Sequence, residues 1–153
     1  MALDFAPVAL AQLLIRRPPA EVFRAFVDPA ITSKFWFSNA SAPLAAGTTV
    51  TWAWSWYGAT AEVVVDAIEP EHRILIHWPT PVEWVFTPKG AQATLVQITA
   101  SGFQGAMDEQ VAQAIDAMGG FTLVLAGCKA YLEHEIELGL VPDQNPDHHL
   151  APG

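Results

Sequence analysis

The chain has one cysteine, Cys128, among 153 residues. No internal disulfide can form, and nothing in the cysteine usage calls for an oxidising compartment. Basic residues are also few: seven Lys and Arg against sixteen Asp and Glu, for a net charge of −9. The seven (Arg16, Arg17, Arg24, Lys34, Arg73, Lys89, Lys129) are scattered and form no cationic stripe. Neither nucleic acid nor an anionic membrane surface is therefore an expected partner. Charged residues make up only 15% of the chain and hydrophobic ones 52%, which implies a large interior and some apolar surface left for a cavity or a partner. No apolar run approaches the ~20 residues of a membrane span. The apolar stretch 8–15 follows a segment that carries an acid and no basic residue, so it reads as a strand and not as an export signal. The expected compartment is the cytoplasm.

What the chain does have is tryptophan in an unusual arrangement. Trp52, Trp54 and Trp56 alternate along one short stretch, with Thr51, Ala53 and Ser55 between them. A period of two sends all three indoles to one face of a β-strand. That much bulk on one strand face means either a thick core or the wall of a cavity that an apolar molecule could fill.

The rest of the chain reads as a single domain over 1–139 with a mobile tail over 140–153, rich in Pro, Asp, His and Asn. A first strand over 8–16 ends at Pro18-Pro19, which open a helix with Val22, Phe23, Phe26 and Val27 on one side. Asp28-Pro29 closes that helix and starts a second short one running through Trp36. After a loop of small residues, 38–47, the period switches to two. Strands are expected over 48–56, 60–68, 73–78, 82–87 and 93–101, with turn-forming residues between them, as in an antiparallel meander. From Met107 the pattern is helical again. Gly119-Gly120 marks a weak point, a long amphipathic helix runs over 121–138, and Gly139 stops it.

This order, with the residues that fill it, resembles the SRPBCC superfamily, the START and birch-pollen-allergen relatives. Residues 15–29, Ile-Arg-Arg-Pro-Pro-Ala-Glu-Val-Phe-Arg-Ala-Phe-Val-Asp-Pro, resemble the family's opening. Phe35-Trp36 sits where the family carries an aromatic pair. Ile68-Glu69-Pro70-Glu71-His72-Arg73-Ile74 followed by Trp78 is similar to its strand–turn–strand centre. Gly120-Phe121, Leu125, Lys129 and Tyr131-Leu132-Glu133 resemble its last helix, although Trp more often follows that glycine. The resemblance covers 10–139, and the branch it points to is named after the activator of the heat-shock-protein-90 ATPase. It implies an α+β helix-grip fold: a curved antiparallel sheet of about six strands wrapped around a long C-terminal helix, with two short helices between the first and second strands. The loop Pro79-Thr80-Pro81 is shorter than that branch would lead one to expect, which trims the rim of any cavity.

In such a fold, strand parity sorts residues into inner and outer faces. Val50, Trp52, Trp54 and Trp56 face in. So do Ala59, Ala61, Val63, Val65 and Ala67, then Ile74, Ile76 and Trp78, then Val82, Trp84 and Phe86, and then Thr94, Val96, Ile98 and Ala100. From the helix, Phe121, Val124, Leu125, Cys128 and Leu132 share one stripe. The expected cavity lining is Trp52, Trp54, Trp56, Val63, Val65, Ile76, Trp78, Trp84, Phe86, Val96, Ile98, Phe121, Leu125 and Cys128. Each buried indole N–H needs an acceptor, which hints at internal water or a ligand with oxygen atoms.

None of these inner positions is charged, and general acid–base catalysis needs an ionisable group within ~3 Å of the substrate. Glu62, Asp66, His77 and Glu83 all fall on the outer parity, and only a β-bulge could bring Glu62 or Asp66 in. His134-Glu135-Ile136-Glu137-Leu138 begins like a zinc-protease helix, but Leu138 stands where the second histidine belongs. Asp147-His148-His149 supplies too few ligands in fixed geometry for a metal. Cys128 reads as a packed, inert thiol. No catalytic residue, metal or cofactor is expected. The leading reading is a small ligand-binding protein that holds an apolar or aromatic molecule between sheet and helix. The alternatives are an enzyme resembling polyketide cyclases and, last, an interaction protein like the chaperone activators. A homodimer is compatible with all three.

Overall fold

The computed structural model describes residues 5–150; residues 1–4 and 151–153, the outer ends of the expected domain and tail, lie outside the described residues. Two prolines and an aspartate set the first turn of the fold. Strand β1 (Ala9–Ile15) is followed by α1 (Pro19–Val27), with Pro19 in the first turn, where a missing N–H costs little. Val22, Ala25 and Phe26 are its buried side. Asp28 ends α1 and caps α2 (Pro29–Thr32) by accepting a hydrogen bond from the Ala30 N–H at 3.0 Å. Buried Thr32 fastens the two helices together, its hydroxyl donating to the Ala25 carbonyl at 2.5 Å. The second helix ends at Thr32, short of the expected Trp36, and the turns that follow bury Phe35, Trp36 and Phe37.

The sheet has seven strands: β1, then β2 (Asn39–Ala40), β3 (Thr49–Trp54), β4 (Ala59–Glu69), β5 (Arg73–Trp78), β6 (Thr80–Pro88) and β7 (Thr94–Ala100). All neighbours are antiparallel, in the order β1-β7-β6-β5-β4-β3-β2. Two-residue β2, in the stretch read as loop, raises the expected count by one. The meander is as expected, with β1 returning beside the last strand. The α1–α2 pair carries the chain from one edge of the sheet to the other. Helix α3 (Met107–His134) lies against the sheet, with Ala114, Phe121, Val124, Leu125, Gly127 and Cys128 buried. This is an α+β helix-grip fold.

Three local differences from the sequence reading have physical causes. First, β3 stops at Trp54. Residues Ser55–Tyr57 form a 3₁₀ turn that ends on Gly58 at φ +62°, so Trp56 leaves the inner face and is only half-buried. Second, a bulge at Asp66 shifts the register between β4 and β5: Val65 pairs with Ile76, but Ala67 pairs with Leu75 and Ile68 with Ile74. Beyond the bulge Ile68 takes the inner side in place of Ala67, and Asp66 itself stays on the outer face. Third, α3 runs unbroken through Gly119 and Gly120, because packing against the sheet outweighs the ~1 kcal/mol each glycine costs a helix. It ends in the left-handed residue Glu135 (φ +56°), four residues before Gly139.

Helix α3 is long and apolar enough, by length and composition alone, to cross a membrane. In this fold it is the core helix, with its apolar stripe on the sheet. The segment after Gly139 carries α4 (Leu140–Gln144) and a 3₁₀ turn at Pro146–His148. The Tyr57 hydroxyl donates to the Val141 carbonyl, and the His148 ring packs edge-on against Tyr57 at 5.2 Å.

Candidate functional site

The site is assembled from mismatched cross-strand pairs. Trp54 pairs with Ala59 and Trp52 with Ala61, so on that stretch of the inner face a large ring stands opposite a methyl group. Directly paired residues share a face of the sheet, and a small partner leaves room that the large one does not fill. The room becomes a cavity of about 590 Å³ at one end of the sheet–helix gap. Its sheet side is made by Trp54, Ala59, Thr60, Ala61, Trp78, Pro79, Thr80, Val82 and Ala100. Asp116, Ala117, Gly120, Phe121 and Val124 close it from α3; Trp36, Tyr57, Phe103, Val141, Gln144 and Asn145 complete it. A volume of this size falls in the range of drug-sized ligand sites.

The aromatic wall is rigid because its rings hold one another. Trp36 contacts Trp52 at 4.7 Å, Trp78 at 5.7 Å, Trp84 at 5.9 Å and Phe121 at 5.9 Å, measured between ring centroids. Trp54 and Trp78 stack at 5.4 Å with only 12° between their planes. Such pairs add about 0.5–1.5 kcal/mol each beyond area burial.

The sequence reading spreads the lining over the whole inner face; the structure concentrates it at one end. Of the fourteen expected residues, Trp54, Trp78 and Phe121 line the cavity. Trp56 lines a separate pocket of about 230 Å³ beneath residues 137–142. The other ten (Trp52, Val63, Val65, Ile76, Trp84, Phe86, Val96, Ile98, Leu125 and Cys128) are buried core, filled in by Phe26, Trp36 and Phe37. Those three come from α1 and the turns after α2, which strand parity does not reach. Trp84 is 1% exposed, and among the described residues its indole N–H has no hydrogen-bond partner. Its ring sits among Phe26, Trp36 and Phe121.

Among the missed lining residues, those on α3 had a signal. Stepping back from Phe121 and Val124 at helical spacing gives Ala117, Gly120 and Asp116, a continuation hidden by reading the helix as broken at Gly119-Gly120. Tyr57 follows the strand end. Val141, Gln144 and Asn145 lie in the segment read as tail.

The ionisable residues singled out from sequence lie elsewhere. On the outer face Asp66 and His77 pair at 2.5 Å, each about 40% exposed, and Arg73 bridges Glu83 at 2.5 Å and Glu69 at 3.0 Å. Glu62 is exposed. His134 is the last residue of α3, and His149 contacts the Pro142 carbonyl at 2.7 Å. No group of three or more metal-ligating side chains occurs among the described residues. Burial pushes the Cys128 thiol far above its usual range, with the nearby Glu133 charge adding to the effect, so it stays protonated. Glu133 itself ties α3 to the end of β1: it accepts from the Arg16 N–H at 2.8 Å and from Lys129 at 2.7 Å. Burial alone would raise its carboxyl; these hydrogen bonds and the Lys129 charge win and hold it below the usual range.

Residues 16–133 match the model of the Activator of Hsp90 ATPase homolog 1-like protein family, most of the chain. The chain belongs to this family. The protein SSP2350 from Staphylococcus saprophyticus is 28% identical, with a TM-score of 0.77 over 86% of this chain and 96% of that one. DynU16, described as a putative protein in the dynemicin biosynthetic locus, is 23% identical with a TM-score of 0.73, over 85% of this chain and 48% of that one. The Aha1 dimer from Colwellia psychrerythraea is 16% identical with a TM-score of 0.70, over 87% of this chain and 98% of that one. The last two likenesses are of fold. No curated protein is similar enough in sequence to match. The family and the neighbours support a ligand-binding fold and name no ligand.

Proposed function

We propose that this domain holds an apolar or aromatic small molecule in the cavity between the sheet and α3. The observation that carries the reading is the 590 Å³ space faced by Trp36, Trp54, Trp78 and Phe121. Flat rings on several sides favour a planar, aromatic occupant, which gains both apolar burial and ring–ring contact. The polar groups Thr60, Thr80, Gln144 and Asn145 offer hydrogen bonds that would orient it. A protein of this kind works in the cytoplasm, in keeping with its one buried, unpaired cysteine.

The test is quenching of tryptophan fluorescence by a panel of flavonoids, fatty acids and aromatic polyketides. Saturable quenching by the planar aromatic members supports the reading, and a flat response to the whole panel overturns it. A second reading, a cyclase-like enzyme, rests on Asp116, the one carboxylate on the cavity lining among the described residues. Turnover of an aromatic polyketide that is lost in Asp116→Asn would establish it. The chaperone-activator reading has only the family's name behind it, and an unchanged chaperone ATPase rate would remove it.

A further inference from the structure

We infer that the cavity selects its ligand by charge, taking cationic aromatic molecules over neutral ones and neutral over anionic ones, with Asp116 as the selecting residue. This rests on the cavity being a binding site. Among the described residues Asp116 is the only charged side chain on the lining, and no Lys, Arg or His lies there to receive a carboxylate or phosphate. Asp116 forms no ion pair and no side-chain hydrogen bond with the other described residues, so its charge is not already spent within the protein.

Its place in the fold gives the charge a direction. Asp116 is exposed, one helical turn before Gly120 on α3, while Phe121 in the next step is 7% exposed. The carboxylate therefore stands at the outer rim, and the aromatic wall lies deeper. A ligand with a ring system and a positive group fits that order: the ring meets the stacked Trp54 and Trp78 and the cation stays near the rim. Indole faces are electron-rich and attract cations as well, so the wall and the carboxylate act in the same sense. An anion meets the opposite: an unpaired carboxylate, electron-rich ring faces and a chain of net charge −9. Fatty acids and aromatic carboxylates are thus the classes the cavity disfavours.

The experiment uses three probes of one shape, naphthalen-1-ylmethylammonium, naphthalen-1-ylmethanol and 1-naphthoate, titrated by calorimetry into the wild-type chain, Asp116→Asn and Asp116→Glu. In the wild type the ammonium should bind about three- to tenfold tighter than the alcohol at low salt, and the naphthoate weakest, with the ammonium's advantage shrinking as salt rises. Asp116→Asn should remove most of the ammonium's advantage over the alcohol, leaving only the part that the indole faces supply. Asp116→Glu should keep the preference. Naphthoate binding as well as the ammonium, or a preference for the ammonium that survives Asp116→Asn in full, overturns the inference and leaves the binding reading standing. No binding of any probe to the wild type overturns both.

Discussion

The indoles of Trp54 and Trp78 are stacked, 5.4 Å apart and 12° from parallel, and both face the cavity. Trp54 is the last residue of β3 and Trp78 the last of β5, so two strands end by presenting a stacked aromatic pair at the same end of the sheet. Trp78 is only half-buried, the exposure expected of a ring with space beside it.

That difference in burial separates binding from stability. Trp78→Leu should weaken binding of a planar aromatic probe by tenfold or more while the domain stays folded. Trp52→Ala should instead destabilise by about 3–5 kcal/mol, since Trp52 is 1% exposed and packs on Trp36, Phe37, Trp54 and Trp78. Urea unfolding of the two variants beside a probe titration checks the split.

The glycines of α3 should respond in opposite directions. A Cβ at Gly119 meets nothing within 4 Å, so Gly119→Ala should stabilise by about 0.5–1 kcal/mol. A Cβ at Gly127 would lie 3.1 Å from the Phe35 Cβ and 3.3 Å from its carbonyl oxygen. Gly127→Ala should cost about 1–3 kcal/mol, because the helix must move off the Phe35 backbone. Thermal unfolding of both variants reads the two signs directly.

Tyr57 fastens the segment after Gly139 across the cavity through its hydroxyl and its contact with His148. Tyr57→Phe should speed amide exchange and proteolysis within residues 140–150, by the factor that a lost hydrogen bond of about 0.5–1.5 kcal/mol allows, with little change in global stability. Exchange rates in the segment that match the wild type would show that the hydroxyl does not hold it.

Glu133 makes stability sensitive to acid. Its folded carboxyl is held below the usual range by the Arg16 N–H and Lys129, so its stabilisation is fully present above the unfolded value near 4.5 and is lost as pH falls through the lower folded value. Glu133→Gln should cost about 1–3 kcal/mol at neutral pH and flatten the loss of stability below about pH 4. Denaturation across pH 2 to 7 for both chains checks the slope.

Most of the architecture was legible in the sequence because it follows from period and punctuation. Pro18-Pro19 and Asp28-Pro29 mark the helix boundaries, and alternation along β3 to β7 assigns the inner face up to the bulge. What parity cannot supply is the depth at which packing stops. Trp52 and Trp54 look alike along the strand, yet Trp36 and Phe37 cover Trp52, while Ala59 opposite Trp54 leaves a gap. The turn at 55–57 removed Trp56 from the series because a strand that passes into a 3₁₀ turn loses its period of two. Asp116 escaped notice for a related reason: two glycines that weaken an isolated helix do not break one held against a sheet.

A crystal structure of the protein soaked with naphthalen-1-ylmethanol, a neutral probe, would show whether the cavity between the sheet and α3 is the binding site. The naphthalene ring should lie in the cavity against Trp54, Trp78 and Phe121, with its hydroxyl toward Asp116. A well-ordered structure with the probe bound only elsewhere, or with side chains filling the 590 Å³ space, would contradict it.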